Sequence, residues 1–329
     1  MENCIDFTLK DTVEFLKSND NYIILTHMSP DGDTLGAGYA LYYGLKKLGK
    51  CAEVICPDVI PSKYSYFLCE TDYVTRDGAT IVAVDIADKR LLGSLAEEFG
   101  DCVQLNIDHH VSNTRYAKSL YLDADASATC EMIYEILQGL KVELDNTISK
   151  ALYTGIATDT GCFKFSCVTA NTHRIAAALY QHDIKADVIN RVMFDTKSKG
   201  LLTLERMVLD TAEYHFDDKC MLLTVTAEMQ EKTGCCGSEL EGIAVISRSL
   251  EGVLAGVTIK QIGDDTYKTS LRTFDPLNAS EICKALGGGG HKYAAAASMS
   301  GTLEEVKCKI LNAIRQQMEE KNAWTAADK

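Results

Sequence analysis

Three apolar runs, YIILTH, TIVAVDIAD and CVQLNIDHH, each end on an acid or an imidazole. Short continuous apolar runs of this kind read as strands buried on both faces, as in a parallel sheet. The segments between them, MSPDGDTLGAGYALYYGLKKLG and KRLLGSLAEEFG, read as returning helices. Pro30 and Gly32 turn the chain, and the first of these helices runs from Thr34 to a stop at Gly49. Strand–helix alternation of this type specifies an α/β fold, a parallel sheet with helices on both faces. Open sheets of this class bind ligands beyond the carboxyl ends of their strands. Asp108, His109 and His110 therefore stand where a ligand crevice is expected.

The N-terminal region also contains a helix over TLKDTVEFLK, capped by Thr8, and the strand CAEVIC. Helices follow in ASATCEMIYEILQGL, NTISKALYTGIATDTGCF, NTHRIAAALYQHD and ADVINRVMF, and they complete a first domain over residues 1–195. A helical linker is expected over 196–214. From 215 to 329 the strands KCMLLTVTA, VLAGVTIKQI and TYKTSLRTF alternate with helices at ELEGIAVISRSL, ASEICKALG and TLEEVKCKILNAIRQQM, which makes a smaller α+β domain. The active site is expected in the cleft between the two.

Composition narrows the function. The formal charge of −14 opposes binding of long nucleic acid across a broad basic face. A local metal cluster can still dominate the field in a pocket and admit a short anion. No run of 18 apolar residues exists and no signal peptide is recognisable, so a cytoplasmic protein without membrane contact is expected. The 13 cysteines are scattered without paired CxxC spacing, and several, Cys102, Cys130, Cys220 and Cys283, lie in apolar segments. They read as reduced packing thiols, and adjacent Cys235 and Cys236 are too few to hold zinc.

The chemistry collects at strand ends. His27, Asp31 and Asp33 follow the first strand, Asp85 ends VAVD, His109 follows the third run, and Asp159 lies where a helix gives way to Gly161. Singly, each acid reads as a cap or turn residue; together they form a charged cage. Two carboxylates about 4 Å apart repel by roughly 4 kcal/mol at an effective dielectric near 20. Four of them require cations or shifted pKa values. Mixed carboxylate and imidazole ligands suit manganese, magnesium or iron. The ligand count allows two ions, with Asp85 as the bridge because its strand should be central. Such a pair, roughly 3.5–4 Å apart, can lower the pKa of a shared water and clamp a phosphoryl oxygen. Two-metal phosphoester hydrolysis is the expected chemistry.

The motifs THMSPDGD, VAVDIAD, NIDHHVSN and ATDTGCF, followed by ALGGGGHKYAAAA, resemble the DHH phosphoesterase superfamily in order and over nearly the whole chain. The resemblance implies His27, Asp31 and Asp85 around one Mn²⁺, and Asp33, Asp85, His109 and Asp159 around a second. It implies His110 as a proton donor to the leaving oxygen, Asp108 as the group orienting an imidazole, and Asn113 as a further residue facing the site. In the C-terminal domain it implies that Arg272, Gly288, Gly289, Gly290 and His291 bind substrate, with Ser270 as an additional phosphate or ribose contact. Ala296 stands where the family often has glycine. The nano-RNase branch cleaves oligoribonucleotides of a few residues, and many members remove the 3′-phosphate of adenosine 3′,5′-bisphosphate.

The expectation is thus a manganese-dependent phosphodiesterase and phosphatase for nanoRNA and dinucleotides such as pApA, with adenosine 3′,5′-bisphosphate as a further substrate. Cyclic dinucleotide cleavage is the alternative; an inorganic pyrophosphatase and a non-catalytic nucleotide sensor rank lower. A homodimer is compatible with this reading.

Overall fold

The protein is described by a computed structural model covering residues 4–235, 237–240 and 242–322, with only the backbone of Ser238 and Glu239. It divides into two compact units, Met1–Thr196 and Lys197–Lys329.

The first unit runs β1 (Ile5–Asp6), α1 (Leu9–Ser18), β2 (Tyr22–Leu25), α2 (Gly32–Lys47), β3 (Ala52–Ile55), β4 (Thr80–Val84), α3 (Ala96–Phe99), β5 (Leu105–Asp108), β6 (Ser119–Leu122), α4 (Thr129–Gly139), α5 (Asn146–Asp159), α6 (Ala170–Leu179) and α7 (Ala186–Asn190). Its sheet has the order β1-β6-β5-β4-β2-β3, and every pair is parallel. β4, the VAVD strand, lies between β5 and β2, so Asp85 leaves the sheet near its middle. Alternate strand residues feed two cores. Tyr22, Ile24, Val82, Val84, Leu105 and Ile107 pack under a thick helical layer that includes α2, α4 and α5. Ile23, Leu25, Ile81 and Ala83 face a thinner cover made with Leu92, Phe99 and Val103.

That thin cover corrects one expectation. KRLLGSLAEEFG is not one helix but a 3₁₀ segment, Lys89–Leu95, broken at Gly93 (φ 55°) and followed by the single turn of α3. The positive φ at Gly93 is a conformation that glycine adopts freely, and a Cβ there would crowd the Met28 side chain at 3.3 Å. Two strands of this unit escaped the reading: β1 is only two residues long, and β6 pairs with both β1 and β5.

The second unit contains α8 (Lys199–Leu209), β7 (Glu213–His215), β8 (Cys220–Val225), α9 (Ala227–Thr233), α10 (Ile243–Ile246), β9 (Ala255–Gly263), β10 (Thr266–Thr273), α11 (Ala279–Ala285), β11 (Gly289–His291), β12 (Ala294–Ser300) and α12 (Leu303–Glu320). The mixed sheet has the order β11-β12-β10-β9-β8-β7, with β8 and β9 its one parallel pair. The alanine-rich AAAASMS forms β12 because Ala295, Ala297 and Met299 alternate into the core beneath α11 and α12. The segment read as a linker holds α8, whose Leu204 and Val208 are fully buried against Met221, Leu223 and Ile243. It therefore counts with the second unit, and the division falls after Thr196. Cys130, Cys220, Cys235 and Cys283 are buried free thiols, whereas Cys102 is exposed at the turn before β5; Cys236 lies outside the described residues. Among the described residues no helix is long and apolar enough to cross a membrane.

The crossing of α2 over α5 sets the geometry of the site, and glycines permit it. A Cβ at Gly36 would lie 2.4 Å from the Ala151 carbonyl oxygen, and one at Gly155 would lie 2.7 Å from Asp33 Oδ1. We expect Gly36→Ala to push the helices apart and cost about 1–3 kcal/mol of stability, as overpacking does. Urea denaturation measures this; an unchanged unfolding free energy would contradict the close crossing.

Candidate metal centre

Each acid is delivered by the end of a regular element. Asp31 is the cap residue of α2, and its Oδ1 accepts from the Asp33 and Thr34 amides at 3.0 and 3.1 Å. Asp33 stands in the first turn of the same helix, completely buried. Asp85 follows β4 in the left-handed region (φ 61°), a conformation that aspartate tolerates and that turns its buried side chain off the sheet end. Asp159 is the last residue of α5. His27 leaves β2, and His109 and His110 leave β5.

These side chains converge. His27 Nε2 is 3.5 Å from Asp85 Oδ2 and 3.7 Å from Asp31 Oδ1. His109 Nε2 is 3.3 Å from Asp159 Oδ2, 3.7 Å from Asp85 Oδ1 and 4.0 Å from Asp33 Oδ2. The two oxygens of Asp85 thus face different groups. His27, Asp31 and Asp85 form one set of ligand atoms mutually within 4.8 Å, and Asp33, His109 and Asp159 form another. A third set joins Asp85, His109 and His110.

The tautomers suit coordination. Nδ1 of His27 donates to the Met28 carbonyl at 2.8 Å, and Nδ1 of His109 donates to the Ala126 carbonyl at 3.2 Å. In its neutral form each ring would turn an Nε2 lone pair toward the acids, the arrangement that orients metal-binding histidines. His109 Nε2 is buried and makes no hydrogen bond. An unbonded imidazole nitrogen among three carboxylates is the environment a cation completes, and four ionised aspartates balance the charge of two divalent ions. The donor set fits a pair of hard or borderline cations.

Without cations the charges disturb each other strongly. Burial, then the neighbouring Asp159, pushes Asp33 up to about 7. Burial and Asp33 push Asp85 up to about 7, and burial carries Asp159 up to about 6. Burial opposes protonation of both rings, yet the adjacent carboxylates prevail, raising His27 to about 11 and His109 to about 10.

His110 is placed differently. Its Nδ1 donates to Asp108 Oδ1 at 2.8 Å, and Asp108 Oδ2 accepts from Asn113 Nδ2 at 2.6 Å. Asp108 is fully buried and remains ionised: burial opposes this, but the bonds from His110 and Asn113 outweigh it and hold its pKa low. Asn113 Oδ1 also accepts from the Arg115 amide, so both ends of its side-chain amide are engaged within the loop.

Two partners that the sequence did not reveal complete the cage. The start of α4 donates its Thr129 and Cys130 amides to Asp33 at 2.6 and 2.9 Å, and Thr129 Oγ1 donates to Asp85 Oδ1 at 2.9 Å. No charge or spacing marks Thr129, and only contact across 44 residues makes it visible.

The second unit carries the other expected residues. Arg272 and Ser270 project from the same face of β10, opposite Gly256 and Thr258 of β9. The glycine run has a structural task of its own. A Cβ at Gly288 would meet the Ala296 carbonyl oxygen at 2.1 Å, and one at Gly290 (φ 145°) would meet that of Ala294 at 2.6 Å. These two let β11 lie against β12, while a Cβ at Gly289 would meet open space and His291 is exposed.

The shifts have a sign that can be measured. Acids raised in the folded state bind extra protons between about pH 4 and 7, so they remove stability as pH rises through that window. The raised histidines stabilise fully below about 6.5 and lose their contribution as pH climbs toward their folded values. Both act in one direction, and a cation must displace the protons. We expect the rise in thermal midpoint on adding Mn²⁺ to be larger at pH 8 than at pH 5.5; an equal or reversed increment would contradict the cage.

The DHH family N-terminal domain matches residues 21–156, and the DHHA1 domain matches residues 221–320. The chain is 34% identical over 315 residues to the bifunctional oligoribonuclease and PAP phosphatase NrnA of Thermus thermophilus, covering 93% of each chain. It is 25% identical to the protein of the same name from Bacillus subtilis, over 85% of this chain and 90% of that one. The fold is that of an exopolyphosphatase-related protein from Bacteroides fragilis (TM-score 0.86, 22% identity, 95% of this chain and 97% of that one). RecJ of Thermus thermophilus, solved in complex with Mn²⁺, shares it more distantly (TM-score 0.54, 15% identity, 93% of this chain and 55% of that one). With its Asp and His cage at the carboxyl ends of a parallel sheet and a DHHA1 domain following in sequence, the chain belongs to the DHH family of phosphoesterases and is a hydrolase of that family.

Proposed function

We propose that the protein is a manganese-dependent phosphodiesterase that hydrolyses oligoribonucleotides of a few residues, and that it also removes the 3′-phosphate of adenosine 3′,5′-bisphosphate. The observation that carries the reading is His109 Nε2, buried without a hydrogen bond among Asp33, Asp85 and Asp159, in a chain 34% identical to a relative named for both activities. Bound cations would supply Lewis acidity, lowering the pKa of water and offsetting phosphoryl charge.

His27, Asp31 and Asp85 would hold one ion, and Asp33, Asp85, His109 and Asp159 the other. The remaining work falls to the chain. Asp108 fixes the His110 ring through Nδ1, which leaves Nε2 to give its proton to the departing oxygen. His110 is raised above its ordinary value because, although burial opposes it, the Asp108 contact and the Asp85 charge favour the protonated ring. The shift favours the form that can donate a proton. Asn113 holds Asp108 from the other side. From the second unit, Arg272 would bind a substrate phosphate through its planar guanidinium, Gly288, Gly289 and Gly290 with His291 would contact the terminal nucleotide, and Ser270 would add a phosphate or ribose contact. Short substrates suit a chain whose formal charge of −14 opposes binding of long nucleic acid.

A Mn²⁺ assay with di- to pentanucleotides, adenosine 3′,5′-bisphosphate and pyrophosphate tests the proposal. Dinucleotides and the bisphosphate should be hydrolysed, and chelation should abolish turnover; pyrophosphate preferred by orders of magnitude would overturn it. Asp85→Asn should lower kcat by more than the roughly 10–100-fold that loss of an outer partner costs. His110→Ala should lower kcat on a dinucleotide by about 10²–10⁴-fold while sparing an ester whose leaving group needs no proton. Equal losses on both esters would exclude His110 as the acid.

A further inference from the structure

Helix α4 begins with a deficit. Its cap residue, Ala128, offers no side-chain acceptor, so the first amides of the helix must find partners elsewhere. The Thr129 and Cys130 amides find them in the two oxygens of Asp33, a residue of α2. The Thr129 side chain is fully buried and its hydroxyl donates to Asp85 Oδ1. One helix start therefore grips two carboxylates of the cage, one through backbone and one through side chain.

We infer that Thr129 is a positioning residue that sets how the Asp85 carboxylate is shared between the two cation sites. The inference rests on the two-cation reading above. A carboxylate is free to rotate about its last bond, and Asp85 has different neighbours on each oxygen. Oδ2 faces His27 Nε2 at 3.5 Å, and Oδ1 faces His109 Nε2 at 3.7 Å. The Thr129 hydroxyl takes one lone pair of Oδ1 and fixes that oxygen toward the His109 side, so Oδ2 stays committed to the His27 side. Without this donor the Asp85 carboxylate can swing and present both oxygens to one side. Asp33 needs no such side chain, because two helix amides already hold it in place. The positive end of the helix adds a favourable field at both acids.

The test uses the full chain stripped of metal and titrated calorimetrically with Mn²⁺, comparing wild type, Thr129→Val and Thr129→Ser. Valine keeps the branched shape and loses the donor; serine keeps the donor and loses a methyl group. Valine should weaken Mn²⁺ binding by about 10–100-fold, as loss of an outer partner does, while serine stays within about threefold of wild type. The metal-free thermal midpoint, read alongside, should not rank the variants in that order. If valine does not fold, Thr129→Ala replaces it with the same expectation. Wild-type affinity in the variant without a donor, or serine weakened as much as valine, would overturn the role of Thr129. A wild type that binds no Mn²⁺ would instead overturn the two-cation reading itself.

Discussion

Mutual repulsion among Asp31, Asp33, Asp85 and Asp159 is the constraint on which the first unit depends. Each close pair costs roughly 4 kcal/mol at about 4 Å and an effective dielectric near 20, so the cage must be held open by the rest of the fold. The scaffold answers with rigid elements. Asp31 caps α2, Asp33 is clamped by the start of α4, Asp85 projects from the middle of the sheet, and Asp159 ends α5. Glycines at 36 and 155 bring α2 and α5 close enough for these acids to meet. Ligands mounted on packed elements are positioned before a cation arrives.

The same repulsion explains why the imidazoles are pinned so carefully. His27 and His109 each spend Nδ1 on a backbone carbonyl, so neither ring can turn its Nε2 away from the acids. His110 is pinned instead by a carboxylate, Asp108, and that difference separates a ring suited to coordination from one suited to carrying a proton. Adjacent in sequence and with ring centroids 4.5 Å apart, the two histidines owe their different chemistry to their Nδ1 partners.

Much of this was legible in the sequence because the strands are apolar throughout and end abruptly on charge. YIILTH, TIVAVDIAD and CVQLNIDHH placed three parallel strands and the acids and imidazoles that end them. Asp159 was readable from the glycine that stops its helix. What escaped had no local signal. β1 is too short to show alternation, and β12 is built of alanines whose propensity favours helix. KRLLGSLAEEFG has helical spacing, but Gly93 breaks it by adopting a positive φ that no spacing announces. The glycines at 288 and 290 also let β11 approach β12, a packing role that the run of four does not announce. Thr129 and the Cys130 amide act across the chain on residues far away in sequence, a relation that no periodicity encodes.

The central claim is that acids and imidazoles scattered from residue 27 to residue 159 share a pair of cations across Asp85. Crystals soaked in Mn²⁺ and measured at the manganese absorption edge test it most directly. The account predicts two anomalous peaks about 3.5–4 Å apart, one touching His27 and Asp31, the other touching Asp33, His109 and Asp159, with Asp85 between them. A single peak, or ions bound away from Asp85, would contradict it.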